Sequence, residues 1–166
     1  MSQRILIACV GNIFLGDDAF GVEVARVLAT REFPDGVQVV DFGIRAFDLA
    51  YALLDPWDAI ILVDAVPRGD VPGTLYTIEP DLDSIGTADG GDPPVDGHSM
   101  DPVKVVQLAK TMGAITARLL LVGCEPADCG GDEGRMGLTE LVQKAITPAA
   151  DMVEELVEQI ATTKTI

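Results

Sequence analysis

The sequence predicts an open α/β domain, a three-layer sandwich in which helices cover both faces of a mainly parallel five-stranded sheet. Short apolar runs rich in Val, Ile and Leu alternate with segments in which apolar residues recur at helical spacing. The runs are continuous, which is typical of parallel strands buried on both faces. The length of 166 residues and an apolar content of 48% fit one packed core. We therefore predict a single α/β domain over residues 1–166.

Each element follows from a local pattern. The first strand is predicted over residues 5–10, where a continuous apolar run ends at Gly11. A helix is predicted over residues 18–29 with Asp17 or Asp18 as its N-cap, because a carboxylate there accepts hydrogen bonds from the first backbone N–H groups. The remaining predicted elements are, in order, strand 37–40, helix 46–54, strand 59–63, edge strand 74–78, helix 102–112, strand 118–122 and a helical tail from residue 139.

Two finer predictions concern the last two helices. In helix 102–112, Val103 is predicted to face inward, because it belongs to a set of apolar residues at helical spacing. In the tail, Thr147-Pro148 is predicted to end one helix and begin another, because proline is tolerated best in the first turn of a helix. The tail is therefore expected as two helical pieces.

The chain is strongly acidic, with 27 Asp and Glu against 11 Lys and Arg and a formal charge of −16. Such a surface repels phosphate backbones and anionic lipid, so we expect no nucleic-acid partner and no membrane partner. It favours cationic partners or a metal held by carboxylates. Much of the excess charge lies in two loops, residues 81–96 and 125–133, and the acidic, glycine-rich stretch 81–97 is long enough to indicate a functional role.

Nothing in the sequence points to a membrane or to an oxidising compartment. No apolar run approaches the roughly 20 residues of a spanning helix, and the N-terminus enters strand-like sequence without a visible signal peptide. The three cysteines, Cys9, Cys124 and Cys129, form no dense disulfide framework, and Cys124 and Cys129 are best explained as two unrelated thiols. We therefore expect a cytoplasmic location.

Polar side chains follow the predicted strands at their carboxyl ends, where open α/β sheets bind ligands. Asp18 follows the first strand, Asp64 follows the third, and His98, the sole histidine, precedes helix 102–112. Two carboxylates and one imidazole form a sufficient set of protein ligands for a divalent transition metal. Alternatively, an Asp after a strand caps the next helix, and Asp17 is best explained as such a cap or as a solvated side chain.

Other kinds of site fit the residues less well. A dinucleotide site requires Gly-x-Gly-x-x-Gly, whereas Gly11, Gly16 and Gly21 are five residues apart and an acidic pair would face the pyrophosphate. A thiol protease that uses Cys124 and His98 lacks an activating motif around the cysteine. The chain has no Gly-x-Ser-x-Gly, which excludes the nucleophile elbow of the α/β-hydrolases.

Residues 11–21, Gly-Asn-Ile-Phe-Leu-Gly-Asp-Asp-Ala-Phe-Gly, resemble the opening motif of the hydrogenase maturation proteases. Further segments agree with this family in order and spacing, namely Asp41-Phe42-Gly43, Val63-Asp64-Ala65, Pro72-Gly73-Thr74, Gly123-Cys124-Glu125-Pro126 and Gly137-Leu138-Thr139. The resemblance covers nearly the whole chain. It implies an endopeptidase that removes the C-terminal extension from the large-subunit precursor of a nickel–iron hydrogenase after nickel insertion.

The resemblance also implies the site. By position, the metal-binding trio of the family corresponds to Asp18, Asp64 and His98, the same set that the strand ends select. The trio is expected to recognise nickel that the precursor already carries. We hypothesise that a metal-polarised carbonyl or a metal-activated water performs the hydrolysis, with Asp41 orienting His98 or a water. A purely carboxylate-based mechanism of the aspartyl type, in which the metal only recruits the substrate, remains open.

Several expectations about behaviour follow from this hypothesis. Activity should fall as the pH drops through the titration of His98, near ~6.5 for an ordinary histidine, because a ligand imidazole must be neutral. The acidic loops are expected to dock a basic C-terminal region of the precursor, so raised salt should weaken binding. Family likeness suggests a monomer. A non-catalytic metal- or precursor-binding chaperone, and more weakly a nucleotide-binding module, remain as alternatives.

Overall fold

The computed structural model describes residues 2–87 and 101–163. Their helices and strands are β1 (Ile5–Val10), α1 (Phe20–Leu28), β2 (Val37–Gly43), α2 (Ala46–Leu53), β3 (Ala59–Ala65), β4 (Leu75–Ile78), α3 (Pro102–Met112), β5 (Arg118–Cys124) and α4 (Glu140–Thr163). Short 3₁₀ turns lie at Gly16–Ala19, Leu82–Ser84 and Gly131–Glu133. The predicted bounds of β1 and α3 are confirmed, and β3 and β5 each extend two residues beyond prediction. The prediction that Val103 faces inward is wrong, because this residue lies in the first turn of α3 and is 48% exposed.

The five strands form one sheet in the order β2-β1-β3-β5-β4. Every pair is parallel except β4 with β5, which is antiparallel, so the predicted five-stranded, mainly parallel sheet is confirmed with β4 at an edge. The chain proceeds from β1 to one side of the sheet and from β3 to the other. In open α/β sheets, the crevice at such a reversal, outside the carboxyl ends of the strands, is where ligands bind.

Two apolar cores lie against this sheet. Because side chains alternate along a strand, β1 contributes to both of them. Ile5 and Ile7 pack in one core with α1 and α4, whereas Leu6 and Ala8 pack in the other with α2 and α3. The helices are thus divided between the two cores, and the predicted three-layer sandwich stays a prediction.

The predicted start of α1 is wrong. The helix begins at Phe20, its N-cap is Ala19, and no side chain caps it, because the 3₁₀ turn Gly16–Ala19 takes up the residues before it. Neither Asp17 nor Asp18 is therefore an N-cap. Both carboxylates instead accept hydrogen bonds from groups outside α1.

The predicted break at Thr147-Pro148 is also wrong, because α4 continues through Pro148. Ile146 before the proline and Ala149 after it are both buried in the same core. A proline inside a helix costs about 3 kcal/mol, and burial of several apolar side chains in α4 offsets that cost. Among the described residues, neither α4 nor any other helix combines the length and the apolar character needed to cross a bilayer.

A close approach at Gly21 positions the start of α1 against the sheet. A Cβ at this residue would lie 2.1 Å from the carbonyl oxygen of Val10 and 2.4 Å from that of Val63. We expect Gly21→Ala to lower the free energy of unfolding by about 1–3 kcal/mol, because the backbone of β1 or β3 must move. Urea unfolding measures this change, with Gly86→Ala as the control, since no described atom lies within 4 Å of a Cβ there. Equal losses in the two variants would contradict the expectation.

Candidate active site

A cavity of about 470 Å³ opens at the carboxyl end of β3. Asp18, from the 3₁₀ turn after β1, and Asp64, from β3 itself, both line it. Asp101 at the start of α3 and Cys129 from the loop after β5 are also in its lining. The structure therefore brings together two members of the trio predicted from the sequence, close to where the strand order reverses.

Asp64 is a buried carboxyl group, one of whose oxygens accepts a backbone hydrogen bond. The residue is 2% exposed, and its Oδ1 accepts a hydrogen bond from the N–H of Ala65 at 2.8 Å. Within residues 2–87 and 101–163, no group donates a hydrogen bond to its Oδ2. Burial and the negative charge of Asp18 raise the pKa of Asp64 well above its usual range, with a smaller contribution from Asp101, against the opposing effect of the Ala65 N–H.

Asp18 is held by the loop that precedes it. Its Oδ2 accepts a hydrogen bond from the backbone N–H of Asn12 at 3.0 Å. Burial raises the pKa of Asp18, and the Asn12 N–H opposes that rise because it stabilises the ionised form. Two partly desolvated carboxyl groups in one cavity fit a cation, because a positive charge between them would stabilise both ionised forms.

The two carboxylates do not form a complete metal site by themselves. In the part of the chain that the structure describes, no three His, Cys, Asp or Glu side chains are arranged to hold a metal ion. The predicted third ligand, His98, lies outside the described residues. The predicted ligand set of Asp18, Asp64 and His98 stays a prediction.

Asp41 does not line the same cavity. Asp41 lies near the carboxyl end of β2, as predicted. Its side chain is exposed, and its Oδ1 accepts a hydrogen bond from the N–H of Gly43 at 2.8 Å. In the sheet, β1 separates β2 from β3, which carries Asp64. Its predicted role in orienting His98 or a water stays a prediction, with no contact among the described residues to support it.

Asp17 holds the loop after β5, and the interpretation of this residue as a cap or a solvated side chain is wrong. It is fully buried, and its Oδ2 accepts hydrogen bonds from the N–H groups of Ala127 at 2.8 Å and Asp128 at 3.0 Å. Thr139 donates its hydroxyl to Oδ2 at 2.8 Å and its N–H to Oδ1 at 2.7 Å. Adjacent side chains on a 3₁₀ turn point in different directions, so Asp18 reaches the cavity while Asp17 reaches this loop.

Glu125 holds the connection between β3 and β4, a role that the sequence interpretation missed. It is 4% exposed, and its Oε1 accepts hydrogen bonds from the N–H groups of Arg68 and Asp70 and from the hydroxyl of Tyr76 at 2.7 Å. Burial opposes ionisation, but these donors bring the pKa of Glu125 below its usual value. The available signal was its place directly after a strand, within the motif Gly123-Cys124-Glu125-Pro126.

The three cysteines are free thiols, so the interpretation of Cys124 and Cys129 as unrelated is confirmed. Burial and the nearby negative charges of Asp17 and Glu125 raise the pKa of Cys124 to about 12. Burial and the charges of Asp18 and Asp17 raise the pKa of Cys129 to about 11. Because the thiolate is the nucleophile, these environments disfavour a thiol protease.

Fold and site together define an α/β protein with a carboxylate-lined cavity at the carboxyl ends of the strands of a mainly parallel sheet. A family model described as hydrogenase maturation protease matches residues 22–156. The chain therefore belongs to the hydrogenase maturation protease family, and the resemblance seen in the sequence is confirmed. The predicted enzyme class, a peptidase, is the class of this family.

Individual relatives agree with this assignment. The chain is 32% identical over 127 residues to the hydrogenase expression/formation protein HupD of Rhodobacter capsulatus. The aligned residues cover 76% of this chain and 59% of that protein. It is 30% identical over 154 residues to the hydrogenase 2 maturation protease of Escherichia coli (strain K12), covering 91% and 88% of the two chains. The solved structure of the hydrogenase maturating endopeptidase HybD from E. coli is similar with a TM-score of 0.71 and 27% identity, over 95% of this chain and 93% of that one.

Proposed function

We propose that this chain is an endopeptidase that removes the C-terminal extension from the large-subunit precursor of a nickel–iron hydrogenase, and that it recognises the nickel already bound by that precursor. The observation that carries the proposal is the pair Asp18 and Asp64 in one cavity of a maturation-protease fold. Membership in the family supports the reaction class. A cytoplasmic location and a monomeric state belong to the same proposal.

Nickel enters this proposal as cargo of the substrate. Carboxylate oxygens of Asp18 and Asp64 would bind it, with His98 as the predicted third ligand. A divalent metal in such a position polarises a carbonyl or a water for hydrolysis. A cation between the two carboxylates would stabilise their ionised forms, so a nickel-loaded precursor would make an electrostatic contact that a nickel-free precursor lacks. The pair thereby selects for loaded precursor.

Intact-mass measurement of the precursor tests the proposal. We expect the wild-type protein to shorten nickel-loaded precursor by one C-terminal fragment and to leave nickel-free precursor intact. Asp18→Ala and His98→Ala should both lose this processing. Asp55→Asn should retain it, because Asp55 is exposed and lies before β3, at the opposite end of that strand from Asp64. Normal processing by both site variants would contradict the proposed site.

The same experiment separates the proposal from its alternative. A wild-type protein that binds nickel-loaded precursor without shortening it would indicate a non-catalytic chaperone on the same scaffold. Both functions require the cavity to be accessible to the precursor, so only the mass of the product distinguishes them.

A further inference from the structure

A second depression lies outside the carboxylate cavity, between the loop after β1 and the loop that precedes α4. This groove has a volume of about 580 Å³, and its lining includes Phe14, Ile44 and Met136. These three side chains are 63%, 44% and 69% exposed. Large apolar side chains grouped at one exposed site are typical of a binding surface rather than of a solvated loop.

The wall of the groove is fixed by backbone hydrogen bonds. The N–H of Arg135 donates to the carbonyl oxygen of Phe14 at 2.9 Å, and the N–H of Gly16 donates to the carbonyl oxygen of Arg135 at 2.8 Å. The buried Asp17 adds the contacts to Ala127, Asp128 and Thr139 described above. Phe14 and Met136 therefore project from backbone that is already ordered, which lowers the entropic cost of binding a partner.

The rim of the groove is acidic. Asp132 and Glu133 belong to its lining and form no ion pair with any residue that the structure describes. Arg135, the basic residue in the lining, is matched by Asp128 at 3.1 Å. The groove thus combines an apolar floor with unmatched negative charge, which is complementary to an apolar side chain next to a basic one.

Asn12 links the groove to the carboxylate cavity through a hydrogen bond. This residue lines the groove, and its N–H donates to Oδ2 of Asp18, which lines the cavity. Its Oδ1 accepts a hydrogen bond from the N–H of Phe14 at 2.9 Å, so the same residue contacts both sites.

We propose that this groove binds an extended segment of the hydrogenase precursor in which an apolar side chain is flanked by a basic one. The apolar side chain packs against Phe14, Ile44 and Met136, and the basic one faces Asp132 and Glu133. The inference rests on the proposed function and adds to it a recognition surface separate from the Asp18–Asp64 cavity.

Steady-state processing of nickel-loaded precursor tests the apolar part. The double variant Phe14→Ala/Met136→Ala should raise KM about tenfold and change kcat less than about twofold, because truncation of apolar anchors weakens binding without touching the carboxylate cavity. Val71→Ala is the matched control, since Val71 is 71% exposed and does not line the groove. Its KM should equal that of the wild type.

The acidic part has its own test. Asp132→Asn combined with Glu133→Gln removes two charges at constant size and should raise KM at low salt. The difference from the wild type should shrink as salt is added, because screening weakens the interaction of exposed charges. A KM ratio independent of salt would contradict the role of the acidic rim.

The outcomes separate the groove from the proposed function. If the wild type cleaves the precursor and the Phe14/Met136 variant has an unchanged KM, the groove does not bind the precursor. The proposed endopeptidase function would be unaffected by that result. If the wild type does not cleave, fluorescence anisotropy of labelled nickel-loaded precursor still measures binding, and weaker binding by the variant supports the groove alone. A wild-type dimer in sedimentation velocity that the variant abolishes would overturn the inference, because the groove would then bind a second copy of the chain.

Discussion

Asp64→Asn is expected to reduce the processing of nickel-loaded precursor by at least about 100-fold while it raises the thermal stability of the metal-free protein. The activity falls because a neutral amide replaces one of the two carboxylates that line the cavity, and several kcal/mol of charge stabilisation is lost. Asp18→Asn should lower activity to a similar extent. Rates are measured from the intact mass of the precursor over time.

The stability of the same variant should change in the opposite direction. The pKa of Asp64 is raised in the folded protein, so its contribution to stability is full below its unfolded pKa and is lost as the pH rises through the folded pKa. Above its unfolded pKa the wild type carries a cost at Asp64, because the buried group must either stay ionised without solvent or bind a proton. Asn removes this cost and still accepts the hydrogen bond from the N–H of Ala65. We expect a gain on the order of 1–3 kcal/mol, or about 2–4 °C in Tm for each kcal/mol.

A pH series distinguishes this explanation from a general effect of the substitution. The difference in Tm between Asp64→Asn and the wild type should be largest near neutral pH and should vanish as the pH approaches ~4, the unfolded value. Asp55→Asn, an exposed carboxylate, should shift Tm little at any pH. A variant that is destabilised at neutral pH, or a stability gain that is constant with pH, would show that burial does not govern the ionisation of Asp64.

Asp17→Ala is expected to lower the free energy of unfolding by about 3–4 kcal/mol. The substitution leaves the N–H groups of Ala127, Asp128 and Thr139 without their buried carboxylate acceptor, and hydrogen bonds to charged groups are among the strongest in proteins. Tm should fall by about 10 °C. Hydrogen exchange should show the largest loss of protection in the loop after β5, because that loop is what Asp17 holds.

Asp128→Asn provides the control for this variant in the same loop. Its carboxylate is exposed, it pairs with Arg135 at 3.1 Å, and an amide oxygen can still accept from the N–H of Gly130. Exposed ion pairs contribute about 0–1 kcal/mol to stability, so the free energy of unfolding of this variant should be close to that of the wild type. Similar losses in both variants would mean that charge in the loop, and not the buried acceptor, determines its stability.

Much of the fold was predictable from local sequence. β1 was predicted with its observed bounds because a continuous run of β-branched and apolar residues is bounded by Gly11, and α3 because a proline and its preceding Asp101 define its start. The strand order was not predictable, since no residue encodes its neighbour in the sheet. The break predicted at Pro148 was wrong, because local helix propensity takes no account of the apolar side chains that are buried on either side of the proline.

The candidate site was predictable to a lesser degree. The ends of β1 and β3 pointed to Asp18 and Asp64, because parallel strands place their carboxyl ends at one edge. Asp17 was misinterpreted because an acidic residue before a helix has the pattern of a cap, while its partners lie 110 to 122 residues further along the chain. The exposure of Phe14 and Met136 depends on the same distant contacts, which periodicity within one segment does not reveal.

The hydrogen bonds between Asp17 and Thr139 also bear on when the protein becomes competent during synthesis. They close a separation of 122 residues, and contacts of such high sequence separation form late in folding because their loop-closure entropy must first be offset. β1, β2 and β3 can pair before the residues from 127 onward have been made. The peptide-binding groove cannot exist at that stage, so a nascent chain should not engage the precursor until the residues from 127 onward have folded onto the earlier strands.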